Sequence, residues 1–205
     1  MNRRFAVTLL ALSLPGCATL GDLNSLLGGQ HPATTASPPT IRAIPSRWQA
    51  RGRLAAIRPH EAWNASFDWQ QDGAAYRIEL QGPLGQGAAR IEGSEHQVSI
   101  RTADGQSQTS SDPESLLAAQ LGWRTPVGAL RYWMAGQPQP GLPLADARSD
   151  GTGRWQSFRQ AGWLIEYGDY HDAASSDITP GALPRRLRLE QDDLSVRIVV
   201  TRWTL

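Results

Sequence analysis

From Trp48 onward the apolar residues of this chain recur at every second position, and that period restricts it to strands. Trp48, Ala50, Gly52, Leu54 and Ala56 fall on one face, with Gln49, Arg51 and Arg53 on the other. Trp63, Ala65, Phe67 and Trp69 alternate with Asn64, Ser66 and Asp68, and Tyr76, Ile78 and Leu80 with Arg77 and Glu79. Ala89 and Ile91, then Val98 and Ile100, continue the series. Asp72-Gly73, Gly82-Pro83, Glu92-Gly93 and Asp104-Gly105 supply turn chemistry between the runs. Such spacing predicts an antiparallel meander that is apolar on one face.

The middle of the chain changes period. Ser111-Asp112-Pro113-Glu114 reads as a capping box, and a helix is expected to run from there to about Leu121, with Gly122 as a left-handed cap. Thr125-Pro126 opens a second helix with Val127, Leu130, Trp133 and Met134 on one side, stopped by Gly136 and Pro138. Strands resume over Gly153–Phe158, Trp163–Tyr167, Leu183–Glu190 and Leu194–Trp203, with a long polar loop at Tyr170–Pro184. Strands, two short helices and more strands point to a mainly β (α+β) fold: one curved antiparallel sheet with the helices in its concave side.

Before Trp48 the chain is of another kind. Arg3-Arg4, the apolar run Phe5–Leu14 and Leu14-Pro15-Gly16-Cys17 have the form of a lipoprotein export signal. Ten apolar residues are too few to cross a bilayer as a helix, which takes about 20. The division expected is a signal peptide at 1–16, an acylated Cys17 with a flexible tether over 17–46, and a folded domain at 47–205. A tether of this length has an end-to-end distance of roughly 30 Å. Cys17 is the single cysteine, so a disulfide framework within the chain is ruled out and a packed core must supply stability.

Charge argues against nucleic acid as a partner. The formal net charge is +1, and loss of Arg3 and Arg4 with the signal takes it to −1. All 20 basic residues are arginine, scattered along the sequence rather than gathered in a stripe.

A search for chemistry finds little. His31, His60, His96 and His171 have no metal-ligand spacing, so no metal and no cofactor are expected. There is no nucleophile elbow, and Cys17 is taken by lipid. The pairs Glu61/Asp68 and Glu166/Asp169 read as solvated positions at strand edges, and Gly82, Gly85 and Gly87 do not open a helix and so form no phosphate cradle. No catalytic residue is assigned, and the chain is not read as an enzyme. What stands out is an aromatic and apolar inner face, with Trp48, Trp63, Trp69, Tyr76 and Trp163 at its centre. By periodicity alone this face is either plain core under the helices or the lining of a binding site.

Gly82-Pro83-Leu84-Gly85, then Leu121-Gly122-Trp123, Pro126-Val127 with Leu130-Arg131-Tyr132-Trp133, and Gly162-Trp163 with Tyr167, in that order behind a lipobox, resemble the LolB family of outer-membrane lipoproteins. The resemblance spans the lipobox and the domain from Trp48 to Leu205. It implies an incomplete antiparallel β-barrel closed by short helices around a hydrophobic cavity. Trp48, Trp63, Phe67, Trp69, Tyr76, Ile78, Leu80, Leu130, Trp133, Trp163 and Ile165 are then the candidates for contact with acyl chains. It also implies a membrane-inserting loop at Pro83, Leu84 and Gly85, with Leu84 as an exposed wedge. Ala18, in place of an aspartate after the lipidated cysteine, is consistent with an outer-membrane address facing the periplasm of a Gram-negative bacterium.

By this resemblance the chain is a monomeric receptor that takes acylated lipoproteins from the periplasmic carrier LolA and inserts them among outer-membrane lipids. A generic lipid- or glycolipid-binding envelope lipoprotein is the alternative. An envelope-anchored hydrolase would need a nucleophile constellation that the sequence lacks.

Overall fold

The alternation that begins at Trp48 continues through the whole domain as one sheet. The computed structural model describes residues 39–83, 87–122, 124, 126–171 and 183–205. Six strands come first: β1 (Arg47–Arg58), β2 (Glu61–Asp72), β3 (Ala75–Gln81), β4 (Ala89–Gly93), β5 (Val98–Thr102) and β6 (Ser107–Ser110). Helices α1 (Pro113–Leu121) and α2 (Val127–Met134) interrupt them. Then follow β7 (Ala145–Ser149), β8 (Trp155–Gln160), β9 (Trp163–Tyr170), β10 (Pro184–Gln191) and β11 (Leu194–Thr204).

The described strands form a single antiparallel sheet in the order β6-β5-β4-β3-β2-β1-β11-β10-β9-β8-β7. Two meanders are therefore joined at the middle, where β11 returns to lie against β1, with Leu54 opposite Ile198. β6 and β7 end the order without pairing to each other, so the sheet is open. Both edges are short and polar, Ser-Gln-Thr-Ser in β6 and Ala-Asp-Ala-Arg-Ser in β7, which discourages further strand pairing. Neither edge strand was expected from the sequence, because neither alternates apolar with polar residues.

The join imposes one sterically strict position. The β1–β11 register shifts between Arg51 and Gly52. A Cβ on Gly52 would stand 2.0 Å from the Val199 carbonyl oxygen and 2.9 Å from the Phe67 ring. Only glycine allows the backbones and the Phe67 ring to meet there.

Both helices fall where expected, with one correction at a cap. The N-cap of α1 is Asp112 rather than Ser111: its carboxylate accepts from the Ser115 backbone N–H at 3.0 Å. Aspartate at this place also suits the positive end of the helix dipole. Gly122 closes α1 at φ +79°, and its N–H donates to the Ala118 carbonyl. Trp48 packs between Trp69 and Trp203 at ring-centroid distances of 5.2 and 5.3 Å, and Phe158 lies between Trp155 and Tyr167.

Candidate functional site

The inner side chains of the sheet do not fill the space beneath the helices. An apolar recess remains between β1–β4, β9–β11 and the two helices. Leu54 of β1, Trp63, Phe67 and Trp69 of β2, Tyr76, Ile78 and Leu80 of β3 and Ile91 of β4 make one wall. Trp163 of β9, Leu189 of β10 and Val196 and Ile198 of β11 make the other. Leu117 of α1, together with Pro126, Val127, Leu130, Trp133 and Met134 at α2, forms the roof. Every one of these side chains is aliphatic, aromatic or proline, and the free space at the centre is about 120 Å³.

Nine of the eleven sequence candidates line this recess. Trp48 does not, because it is packed between Trp69 and Trp203 toward the start of β1. Ile165 is fully buried next to Phe158 and Leu189 and lies outside the lining. The additional members Leu54, Ile91, Leu189, Val196 and Ile198 sit on the inward register of their strands, a signal already present in the alternation. Only the pairing of β1 with β11 reveals that they face the same space.

The roof is fixed unevenly. At the C-terminal end of α2, Trp133 Nε1 donates to Gln160 Oε1 at 2.9 Å, and the Tyr167 hydroxyl donates to the Trp133 carbonyl at 2.9 Å. Gln160 also accepts from the Gln139 N–H at 2.8 Å and donates to the Gln139 carbonyl at 3.0 Å. Residues Trp133 to Pro138 are all buried. Elsewhere arginines bridge the helices and the sheet. Arg58 Nη2 donates to the Gly122 carbonyl at 2.9 Å, and Arg131 Nη1 to the Gly73 carbonyl at 3.1 Å.

Electrostatics on the wall follow from dryness. Burial pushes the Tyr76 phenol up to about 12, and its oxygen has no hydrogen-bond partner among the described residues. Two of the four acid–base candidates, Asp68 and Asp169, are engaged in ion pairs. Asp68 is paired with Arg51 at 2.8 Å and Asp169 with Arg186 at 3.3 Å. No group of three or more His, Cys, Asp or Glu among the described residues could hold a metal ion. Of the proposed membrane loop, Pro83 is exposed at the end of β3, while Leu84 and Gly85 lie outside the described residues. Cys17 lies outside them too, as does most of the Tyr170–Pro184 loop.

The family model described as "Outer membrane lipoprotein LolB" matches residues 46–203, which is the sheet and both helices. The chain belongs to the LolB family. An outer-membrane lipoprotein LolB of Halorhodospira halophila is 37% identical over 202 residues, covering 98% of this chain and 95% of that protein. One from Pseudomonas fluorescens is 35% identical, with the same shares covered, and one from Coxiella burnetii is 34% identical over 97% of this chain and 91% of its own. Among solved structures, a LolA superfamily protein from Nitrosomonas europaea superposes with a TM-score of 0.50 at 11% identity, covering 80% of this chain and 88% of that one. That last likeness concerns the fold alone. As a LolB, the chain is an outer-membrane lipoprotein of a Gram-negative bacterium and acts in lipoprotein localisation.

Proposed function

We propose that this chain is held at the membrane by acyl groups on Cys17, with residues 17–46 as a tether, and that the domain at 47–205 receives the acyl chains of lipoproteins from the carrier LolA in its apolar recess. The sheet and helices then form a half-barrel around a lipid-binding cavity, and the cargo passes from it into the outer membrane. The observation that carries this reading is the lining, in which no charged, amide or aliphatic hydroxyl side chain takes part.

Energetics favour such a lining. Hiding one chain of ~15 methylenes from water is worth on the order of 12 kcal/mol at about 0.8 kcal/mol each. A carrier and a receptor must each supply most of that, and a downhill difference of about 1.4 kcal/mol per step gives a tenfold bias without fuel. Specific hydrogen bonds would trap the chain, so an apolar wall serves transfer better than a polar one. The site is a place of exchange, with no bond made or broken.

The room available is small. A cavity of ~150 Å³ holds a molecule the size of benzene, and about 120 Å³ is less than that. An acyl chain therefore requires the roof to move. The C-terminal end of α2 is anchored through Trp133 and Gln160, so α1 and the N-terminal end of α2 are the parts to swing away.

A transfer assay tests the reading. LolA loaded with a triacylated lipoprotein is mixed with the purified mature chain, and the cargo's partner is identified by pull-down. Movement of cargo onto the chain is expected. Cargo that stays on a competent carrier, while the chain takes up free phospholipid, would replace this reading with that of a generic lipid binder.

A further inference from the structure

The outer face of the sheet gathers arginines that the sequence leaves scattered. Arg53 of β1 lies opposite Val199 of β11, and Arg197 of β11 lies between Ala55 of β1 and Arg188 of β10. Arg197 and Arg188 are thus directly opposed like charges, an arrangement that costs stability. Neighbouring outward arginines are neutralised: Arg51 by Asp68, Arg186 by Asp169 and Arg188 by Glu190. Arg53 and Arg197 are exposed and have no carboxylate partner among the described residues.

These two guanidinium groups share a recess of about 500 Å³ with Asn64, Ser66, Gln81 and Pro83, and no acidic residue lines it. Its neutral members carry hydroxyl and amide donors. Val199, also at its rim, is 38% exposed, so an apolar contact stands beside the two charges. Pro83 lines this recess and is also the first residue of the loop Pro83–Gly85 that the family resemblance implies enters the bilayer.

We propose that this recess seats the phosphate of a bilayer phospholipid, with Arg53 and Arg197 donating to its oxygens while the loop led by Pro83 engages the membrane. The inference rests on the membrane-engaging reading of that loop. Guanidinium forks match phosphate oxygens in geometry as well as charge, and the Asn64 and Gln81 amides beside them offer further donors, the Ser66 hydroxyl being engaged with the Gln81 carbonyl. The pair of arginines would set the angle at which the domain meets the membrane, with the apolar recess on the opposite side of the sheet.

Vesicle flotation of the whole mature chain, with Cys17→Ser so that no acyl anchor contributes, tests this. The probe is phosphatidylcholine vesicles with and without phosphatidylglycerol. Arg53→Gln with Arg197→Gln is expected to weaken binding to the anionic vesicles about thirtyfold, and raised salt to bring the unsubstituted chain toward the same level. Arg101→Gln, an exposed arginine on β5, should leave binding unchanged. Equal binding by the double variant and the unsubstituted chain overturns the inference. So does loss of cargo acceptance from LolA with vesicle binding intact, since the recess would then serve an acidic protein. Leu84→Glu reports on the loop separately: unaltered vesicle binding and cargo release by that variant would sink the loop reading, whatever the arginines do.

Discussion

The indole N–H of Trp133 on α2 donates to the side-chain oxygen of Gln160 on β8 at 2.9 Å, which ties the roof of the recess to the far side of the sheet. Gln160 is 2% exposed and makes further bonds to the backbone of Gln139. A glutamine so placed would be costly to bury if any of its groups lacked a partner. It is satisfied on both its oxygen and its nitrogen, and so acts as a fixed pivot for the segment that follows α2.

Gln160→Ala is accordingly expected to destabilise the domain by about 3 kcal/mol. It leaves the buried Trp133 indole and the half-buried Gln139 N–H without an acceptor, the first worth ~1–3 kcal/mol and the second less. Urea unfolding measures the loss. Amide exchange should quicken most over residues 133–142. A uniform rise across the sheet would mean that Gln160 stabilises the fold without serving as a pivot.

Arg58 works at the opposite end of the roof. Its bond to the Gly122 carbonyl, at 2.9 Å, closes the C-terminus of α1 onto the end of β1. A hydrogen bond from a charged donor is worth about 1.5 kcal/mol or more, so Arg58→Gln should raise the population of the open form roughly tenfold. Uptake of a fluorescent fatty acyl probe should then become faster while the midpoint of unfolding changes little. Unchanged uptake would mean that α1 is not the part that moves.

Much of this fold is legible in the sequence. Period-two alternation located β1 to β5 and β8 to β11 within a few residues, because each strand has one wet and one dry face. β6 and β7 were not legible: Ser107–Ser110 and Ala145–Ser149 are edge strands with no dry face of their own, so pairing places them rather than composition. Strand pairing likewise decides part of the lining of the recess. Leu189, Val196 and Ile198 are plainly inward residues, yet that they face Leu54 and Phe67 follows only from a β1–β11 contact between distant parts of the chain. Periodicity gives the face of Trp48 but not its height on the sheet, and Trp203, which packs against it, arrives on the last strand. The outer arginines were counted but could not be grouped, since Arg53 and Arg197 meet only once β11 is paired.

Tyr76 gives a prediction in which pH matters. Its hydroxyl is buried without a partner, and burial raises its pKa to about 12. In the unfolded chain the phenol ionises near pH 10. The unfolded state therefore sheds this proton first as pH rises, and the stability present below pH 10 is lost progressively between about 10 and 12. Tyr76→Phe removes that loss and also removes an unsatisfied polar atom, so it should raise stability at neutral pH by about 1 kcal/mol. Denaturant titrations at pH 7 and pH 11 should show a larger gain at pH 11. Tyr167 and Tyr170, which burial also pushes upward, keep some alkaline sensitivity in the variant.

The loop after Pro83 supplies the sharpest functional separation. In the role that the family resemblance implies, Leu84 acts after the cargo has been accepted, by entering the bilayer at the moment of release. A glutamate there puts a charge where an apolar side chain must leave water, at a cost of several kcal/mol. In the proposed function acceptance depends on the recess under α1 and α2, whose lining is built from other elements. Leu84→Glu should therefore take lipoprotein from LolA at the normal rate and hold it, with release into vesicles slowed about a hundredfold. Cargo trapped on the variant, recovered by pull-down in the presence of vesicles, is the expected result. If the variant instead failed to accept cargo but inserted pre-bound cargo normally, the loop would be a docking element for the carrier. The membrane contact would then have to lie elsewhere on the domain.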